Sequence, residues 1–229
     1  MGISDVANLP FVLKIVRTEA QLQKVCQLRA LAYGRHLPFV GARLVEPEPL
    51  DRHACALIFL AEDKTTGEAV GTARIQVNLE QPLQIEDSVE IPPDFKSHTL
   101  TEITRFSVLP GYNQPSVRPA LFKASYLYCC AMQLRYMLIG ARRPLDRIYE
   151  ALGFDDVFGR RQFFPLRHAN GIEHRLLKFD VYGAERAWFS SQHPLYGFML
   201  NTYHPDIQVF SAVSSAWARP RVAEAVGGR

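Results

Sequence analysis

At 229 residues, 48% of them apolar and 21% charged, the chain has the composition of an ordinary globular protein, with material for one α/β domain. A net charge of +3 is too small for a nucleic-acid binder, and no apolar run approaches the roughly 20 residues that cross a bilayer, so no transmembrane segment is expected. The opening MGISDVANLPFVLK lacks the basic start and apolar run of a secretory signal, and Val6 stands where a myristoylation motif needs Ser or Thr; the expected location is cytoplasmic.

Residues 11–17 (FVLKIVR) are rich in β-branched side chains and read as a first strand. Thr18 then caps a helix reaching about residue 33, with Leu22, Val25, Cys26, Leu28, Arg29 and Ala32 at helical spacing. Residues 36–51 hold Pro38, Pro47 and Pro49 and read as irregular. Strands over 56–62 and 69–77 form a hairpin across Lys64-Thr65-Thr66-Gly67. A loop with Pro82, Pro92 and Pro93 leads to a fourth strand, 101–109 (TEITRFSVL), which Pro110-Gly111 stops.

Ser116 can cap the next helix, whose stripe runs Val117, Leu121, Ala124, Tyr128, Ala131, Leu134. Residues 137–140 are a short fifth strand. Pro144 opens a helix with Leu145, Ile148, Tyr149 and Leu152 on one face and Gly153 just past its end. Strands near 161–166 and 174–181 close the sheet. From Ala184 onward comes an aromatic-bearing tail with Trp188, Phe189, Tyr196, Phe198, Tyr203, Phe210 and Trp217. The expected class is α/β, a mixed sheet with helices on its faces. The expected division is a catalytic-size domain over 1–185 and an extension over 186–229, packed on it or partly loose.

Cys26, Cys55, Cys129 and Cys130 form no C-x-x-C pair, and none of the seven histidines makes a metal-ligand pattern with them, so buried free thiols and no metal are expected. Basic residues gather between 135 and 167, including Arg142, Arg143, Arg147, Arg160 and Arg161, interleaved with Asp146, Glu150, Asp155 and Asp156. Such a run reads either as a solvated face or as a dock for an acidic partner.

The element order, with Tyr149-Glu150-Ala151-Leu152-Gly153-Phe154 after the fifth strand, resembles the GNAT acyltransferases. Glu102-Ile103-Thr104-Arg105-Phe106 resembles the E-x-S/T-R-F motif of acyl-homoserine-lactone (autoinducer) synthases and of the related N-acyl amino acid synthases. Arg29 with Tyr33 matches that family's R-x-x-x-F/Y pair, and Phe39 stands where an aromatic follows. Glu48 and Asp51 match its pair of acids, and Gly71-Thr72-Ala73-Arg74 matches its G-x-x-R. Homoserine-lactone makers usually carry Trp at the position of Phe39 and Asp at that of Glu48, which puts this chain nearer the amino-acid-acylating branch. The resemblance implies a mostly antiparallel GNAT-like sheet with helices on both faces.

It also implies acyl transfer from a thioester to an amine, giving an N-acyl amino acid or a related signal. The amine must lose a proton, the developing oxyanion needs donors, and the reactants must be held in line. Glu102 is the candidate base, with Thr104 and Arg105 in the catalytic set; its bland alternative is a carboxylate paired with a nearby arginine. Strict alternation puts Glu102 and Thr104 on one face and Arg105 on the other, so one site needs a bulged or splayed strand. Arg105 and Arg74 are candidates to clamp the acceptor's carboxylate, or else to pair with Glu48 or Asp51. Arg29 and Tyr33 are expected to order the Pro-rich segment over the acyl site. Phe106 and Val108 join the binding set, and a backbone N–H near Val108 or Leu109 is expected to polarise the thioester carbonyl.

No permanently bound cofactor is expected, only acyl-phosphopantetheine on an acyl carrier protein, or acyl-CoA, as co-substrate. Coenzyme-A users follow the fourth strand with a glycine-rich loop whose N–H groups hold pyrophosphate. Here that segment, residues 113–120, carries Pro115 and Pro119, and each proline removes a donor. A carrier protein presents pantetheine without the adenosine diphosphate and would suit the arginine cluster. Two rival readings stand: an acetyl-CoA-dependent small-molecule N-acetyltransferase, and a non-catalytic acyl-binding or regulatory module.

Overall fold

The computed structural model describes residues 5–209. Strand β1 (Phe11–Ile15) buries alternate residues, Phe11, Leu13 and Ile15, as a half-buried strand should. Helix α1 (Glu19–Gly34) starts in a capping box, with the Thr18 hydroxyl accepting from the Gln21 N–H and the Gln21 side chain returning to the Thr18 N–H. The proline-rich stretch after it is more ordered than its composition suggests. Pro38 sits in the first turn of a short helix, α2 (Pro38–Arg43), and Pro49 opens a 3₁₀ turn, Pro49–Arg52. Proline is tolerated there because a first-turn N–H has no intrahelical partner to lose.

Strands β2 (Ala56–Asp63) and β3 (Ala69–Val77) form the expected hairpin, followed by β4 (Leu100–Val108), helix α3 (Val117–Ala131) and β5 (Tyr136–Ala141). Helix α4 (Asp146–Ala151), strands β6 (Phe163–Leu166) and β7 (Ile172–Asp180) and helix α5 (Ala184–Ser190) complete the main elements. The order across the sheet is β1-β2-β3-β4-β5-β7, with β6 also on β7. Of these pairings only β4 with β5 is parallel. Ser116 precedes α3 as expected, but its side chain makes no cap bond, because its backbone is already helical.

Helices cover both faces. Beneath the sheet, Val117, Leu121 and Ala124 of α3 pack on β1–β3, and Phe122 joins an aromatic cluster with Phe154, Phe179 and Trp188. Gly71 on β3 lets α3 approach, since a Cβ there would lie 2.5 Å from Val117 Cγ1. On the other face, Leu22, Val25 and Cys26 of α1 pack on Ile58 and Leu60, while Ile85, Phe95, Leu138 and Leu176 form a separate cluster.

As far as residue 209 the chain after residue 185 is packed on the sheet, one of the two expected arrangements. Helix α5 crosses the expected boundary at 185/186, Trp188 and Met199 belong to the main core, and Ile207–Gln208 pairs in parallel with β1. Buried Lys123 of α3 anchors it, donating to the carbonyls of Phe198 at 2.7 Å and Thr202 at 2.5 Å. Phe210 and Trp217 lie outside the described residues. Cys26, Cys55 and Cys129 are free and buried as expected, whereas Cys130 is exposed near the end of α3.

Candidate active site

Two irregularities in β4 make the site. Pairing with β3 slips between Thr72 and Arg74, so Arg105 and Phe106 together oppose Ala73 alone. Arg105 takes up the extra residue at φ 54°, a left-handed conformation that costs about 1 kcal/mol or more for a non-glycine residue. The second irregularity is a parting. Pairing of β4 with β5 ends at Ile103 and Ile139, yet β4 runs on to Val108 and β5 to Ala141. The gap opens into a cleft of about 930 Å³ lined by Thr104–Leu109 from one side and Gly140–Arg142 from the other. The sheet is therefore both bulged and splayed, the condition that alternation imposed on a shared site.

The bulge turns Arg105 to the same side as Thr104. Arg105 grips Glu48 with a fork, Nε to Oε2 at 2.7 Å and Nη2 to Oε1 at 2.5 Å. Arg74 reaches Glu48 as well (3.0 Å), and also Asp51 (3.0 Å), Gln84 (2.8 Å) and the Thr104 hydroxyl (3.0 Å). Arg29 donates to both Asp51 oxygens at 2.9 Å. Burial works against the charged form of Glu48, but bonding to Arg105 and the charges of Arg105, Arg74 and Arg29 prevail and hold its carboxyl near 2.

This network revises several expectations. Arg74 and Arg29 are fully buried, line no part of the cleft and pair with Glu48 and Asp51, which for Arg74 is the ion-pair alternative. Glu48 and Asp51 likewise do not line the cleft; Glu48 grips Arg105, while Asp51 pairs with Arg29 and Arg74. Phe39 is more than half exposed on α2 and is not part of the cleft lining. Tyr33, Thr104, Arg105, Phe106 and Val108 do line it, with the Tyr33 ring 5.8 Å from the Arg105 guanidinium carbon.

Glu102 lies at the cleft floor with no exposed surface. Its Oε2 accepts from the Ile85 N–H at 3.0 Å, while Oε1 has no hydrogen-bond partner. Burial, offset in part by that bond and by Arg74 and Arg105, pushes its carboxyl up to about 7. His168, from the turn Arg167–Ala169, faces it with Nε2 3.9 Å from Oε1. Its ring is held down to about 4, chiefly by burial and next by the charge of Arg105. Sequence reasoning missed His168, Gln84 and Ile85; they lie in irregular segments without a motif, and only chain closure brings them to β4.

Of the two expected carbonyl donors, Leu109 spends its N–H on Val70 O at 2.9 Å. In an antiparallel ladder neighbouring residues point their N–H groups to opposite edges, so that of Val108 faces the gap left by β5.

The arginine run divides. Arg142 lines the cleft, and Arg143, Arg147 and Arg161 surround an adjoining depression of about 400 Å³ whose wall includes Phe163. Arg160 is exposed but lines neither. Of the acids interleaved with them, Asp146 lines the same depression and Asp155 is exposed, while three acids meet one buried arginine. Buried Arg175 of β7 collects Asp146 (3.1 Å), Glu150 (2.9 Å) and Asp156 (3.1 Å), although Glu150 also meets Arg161 at 3.3 Å.

The sequence profile of the N-acyl amino acid synthase FeeM family matches residues 24–172, well over half of the chain. The chain belongs to the FeeM N-acyl amino acid synthase family. It is an acyltransferase with a GNAT-type fold. No curated protein sequence is a significant match to it. Among solved structures it resembles FeeM, an N-acyl amino acid synthase from uncultured soil microbes, at 17% identity and a TM-score of 0.58, over 82% of this chain and 98% of that one. The CoA-dependent acyl-homoserine lactone synthase BjaI, solved with SAM and isopentyl-CoA, is similar at 11% identity and TM-score 0.55, over 85% and 93%. Escherichia coli ElaA is similar at 16% identity and TM-score 0.52, over 74% and 99%. At these identities the likeness speaks for the fold.

Proposed function

We propose that this member of the FeeM family moves a medium or long acyl chain from a pantetheine thioester to the amine of an amino acid. Glu102 is the base. The observation that carries this reading is its place in the wall of the gap between β4 and β5, with a buried Oε1 that has no hydrogen-bond partner. A carboxyl held near 7 is ionised in part at neutral pH and has affinity enough for an amine's proton. The Val108 N–H would polarise the thioester carbonyl, and the carbonyl carbon would then lie between donor and base. Arg105, fixed by Glu48 from behind, presents charge to the cleft and suits the acceptor's carboxylate.

The donor reading favours an acyl carrier protein over coenzyme A. Asn113, Gln114 and Pro115 line the cleft ahead of α3, and Pro115 and Pro119 withhold two of the N–H groups that a pyrophosphate would use. Arg142, Arg143, Arg147, Arg160 and Arg161 would offer a basic landing face beside the cleft, with Asp146, Glu150 and Asp156 partly neutralised by Arg175. The protein would act in the cytoplasm, where acyl carriers and free amino acids meet.

Expression of the chain in a bacterium, followed by mass spectrometry of lipid extracts, is expected to reveal new N-acyl amino acids that vanish with Glu102→Gln. Purified protein tested with acyl-carrier and acyl-CoA thioesters of the same chain then decides the donor. Turnover only from acetyl-CoA would replace this reading by a small-molecule acetyltransferase. Acyl-chain binding without turnover from either donor would make it a carrier module.

A further inference from the structure

The cleft floor holds a second polar group that this chemistry leaves unused. His168 Nε2 stands 3.9 Å from Glu102 Oε1, outside hydrogen-bond range, and the side chains are 12% and 0% exposed. Glu102 Oε1 has no partner, and neither has His168 Nδ1. Buried polar atoms left like this forfeit their hydration without return and are uncommon in native folds. The groups around them do not supply the missing bonds. Arg105 is engaged by Glu48, Arg74 by Glu48 and Asp51, and the His174 ring from β7 bonds the carbonyl of Ile172 at 2.7 Å.

Burial keeps the His168 ring neutral at ordinary pH, so one of its two nitrogens carries the single proton and the other a lone pair. With that proton on Nδ1, Nε2 turns a lone pair toward Glu102 Oε1. Two acceptors then face one narrow space from opposite elements, β4 and the turn after β6. A carboxylate with one neighbour needs any donor; two acceptors at this spacing suit a nitrogen that carries two hydrogens.

We propose that His168 Nε2 and Glu102 Oε1 jointly seat the acceptor's amine, each receiving one N–H, so that the nitrogen lone pair is left to face the thioester. This rests on the transferase reading above and adds to it the residue that orients the nucleophile. The acceptor's ammonium gives its extra proton to water before the neutral amine is seated. Its lone pair then forms the C–N bond at the thioester carbonyl carbon, and the C–S bond breaks with its electron pair leaving on sulfur. The proton shed by nitrogen passes to the Glu102 carboxylate and on to the departing sulfur, giving amide and thiol. His168 ends the cycle in its starting state.

Steady-state transfer is measured with decanoyl thioesters of coenzyme A and of acyl carrier protein against a panel of free amino acids. For an accepted amino acid, His168→Ala is expected to raise the amine KM about tenfold, the size of one lost hydrogen bond, with the thioester KM unmoved. His168→Asn, which keeps a carbonyl acceptor, is expected to recover part of that loss. An unchanged amine KM in a His168→Ala protein that melts like wild type overturns the proposal. If the variants do not fold, imidazole nitrogen NMR of the wild type decides. One histidine resonance should shift on adding the amino acid without donor, and no shift overturns the proposal equally. Wild-type protein that acylates no amine sinks the transferase reading and this inference with it. Wild-type turnover with an unmoved amine KM in His168→Ala sinks this inference alone.

Discussion

Glu102 is a carboxyl kept where a carboxylate is costly, and that cost is measurable apart from catalysis. Its folded value, near 7, lies above the ordinary 4.5. The native state therefore binds more protons than the unfolded chain between those values. The resulting stability is fully present below 4.5 and is lost as pH rises through 7, by about 3 kcal/mol at about 1.4 kcal/mol per unit. Glu102→Gln should accordingly remove turnover while making the protein more resistant to urea at about pH 8 than at pH 5, relative to wild type. A variant that loses both activity and stability at high pH would mean that the ionised carboxylate is structural. In the active wild type, kcat/KM is expected to climb with pH through about 7 as the base ionises.

Glu48 works with the opposite sign. Its carboxyl, held near 2, contributes stability that is present above 4.5 and fades as pH falls through 2. Glu48→Gln leaves Arg105 and fully buried Arg74 short of a counter-charge. It is expected to cost about 3 kcal/mol by urea denaturation, as breaking one side of a buried pair does. Arg29 of α1, Arg74 of β3 and Asp51 of the Pro49–Arg52 turn thus join one ion-pair network with Glu48, which reaches Arg105.

At the scale of elements, the cleft exists because β4 leaves β5 after Ile103 while α3 keeps β3 and its neighbours closely packed. Gly71 is where that packing is tightest. Gly71→Val should collide with Val117 and Leu121, lower Tm and loosen α3, at a cost of about 1–3 kcal/mol. A second contact of this kind joins α1 and α2, where a Cβ on Gly41 would lie 2.5 Å from the Gly34 Cα. Because all three nearest atoms there are backbone, Gly41→Ala should displace α2. A rise in the KM of an amino acid acceptor alongside a lowered Tm would confirm that α2 braces Tyr33.

Periodicity predicted the strands and helices of the sheet well, since alternation and the 3.6-residue repeat are local. By composition residues 36–51 read as irregular, because proline breaks regular structure in most positions. Three of them are Pro38, Pro47 and Pro49, and two open a helical turn, a role that depends on position within the turn and not on composition. The Ser116 cap failed for a related reason. Its type is favourable, but its backbone is already helical.

At the scale of the molecule, the surface charge is sorted by the interior. Arg175 draws Asp146, Glu150 and Asp156 toward it and leaves Arg143, Arg147 and Arg161 outside. Charge reversal of all three to Glu is expected to weaken transfer from acyl carrier protein at least about tenfold more than transfer from acyl-CoA, with the difference shrinking as salt is added. Equal losses from both donors would remove the docking role.

The sequence by itself determined the element order, the acid-bearing strand and the family motifs around it, because each is written in residues close along the chain or in a preserved order. It could not determine which arginines would line the cleft. Arg29, Arg74 and Arg105 carry the same charge and all meet Glu48 or Asp51, but only Arg105 reaches the cleft. Nor could it pair Glu102 with His168, or part β4 from β5. Those contacts join segments far apart in sequence, and their positions follow from how the whole core packs, which no local pattern encodes.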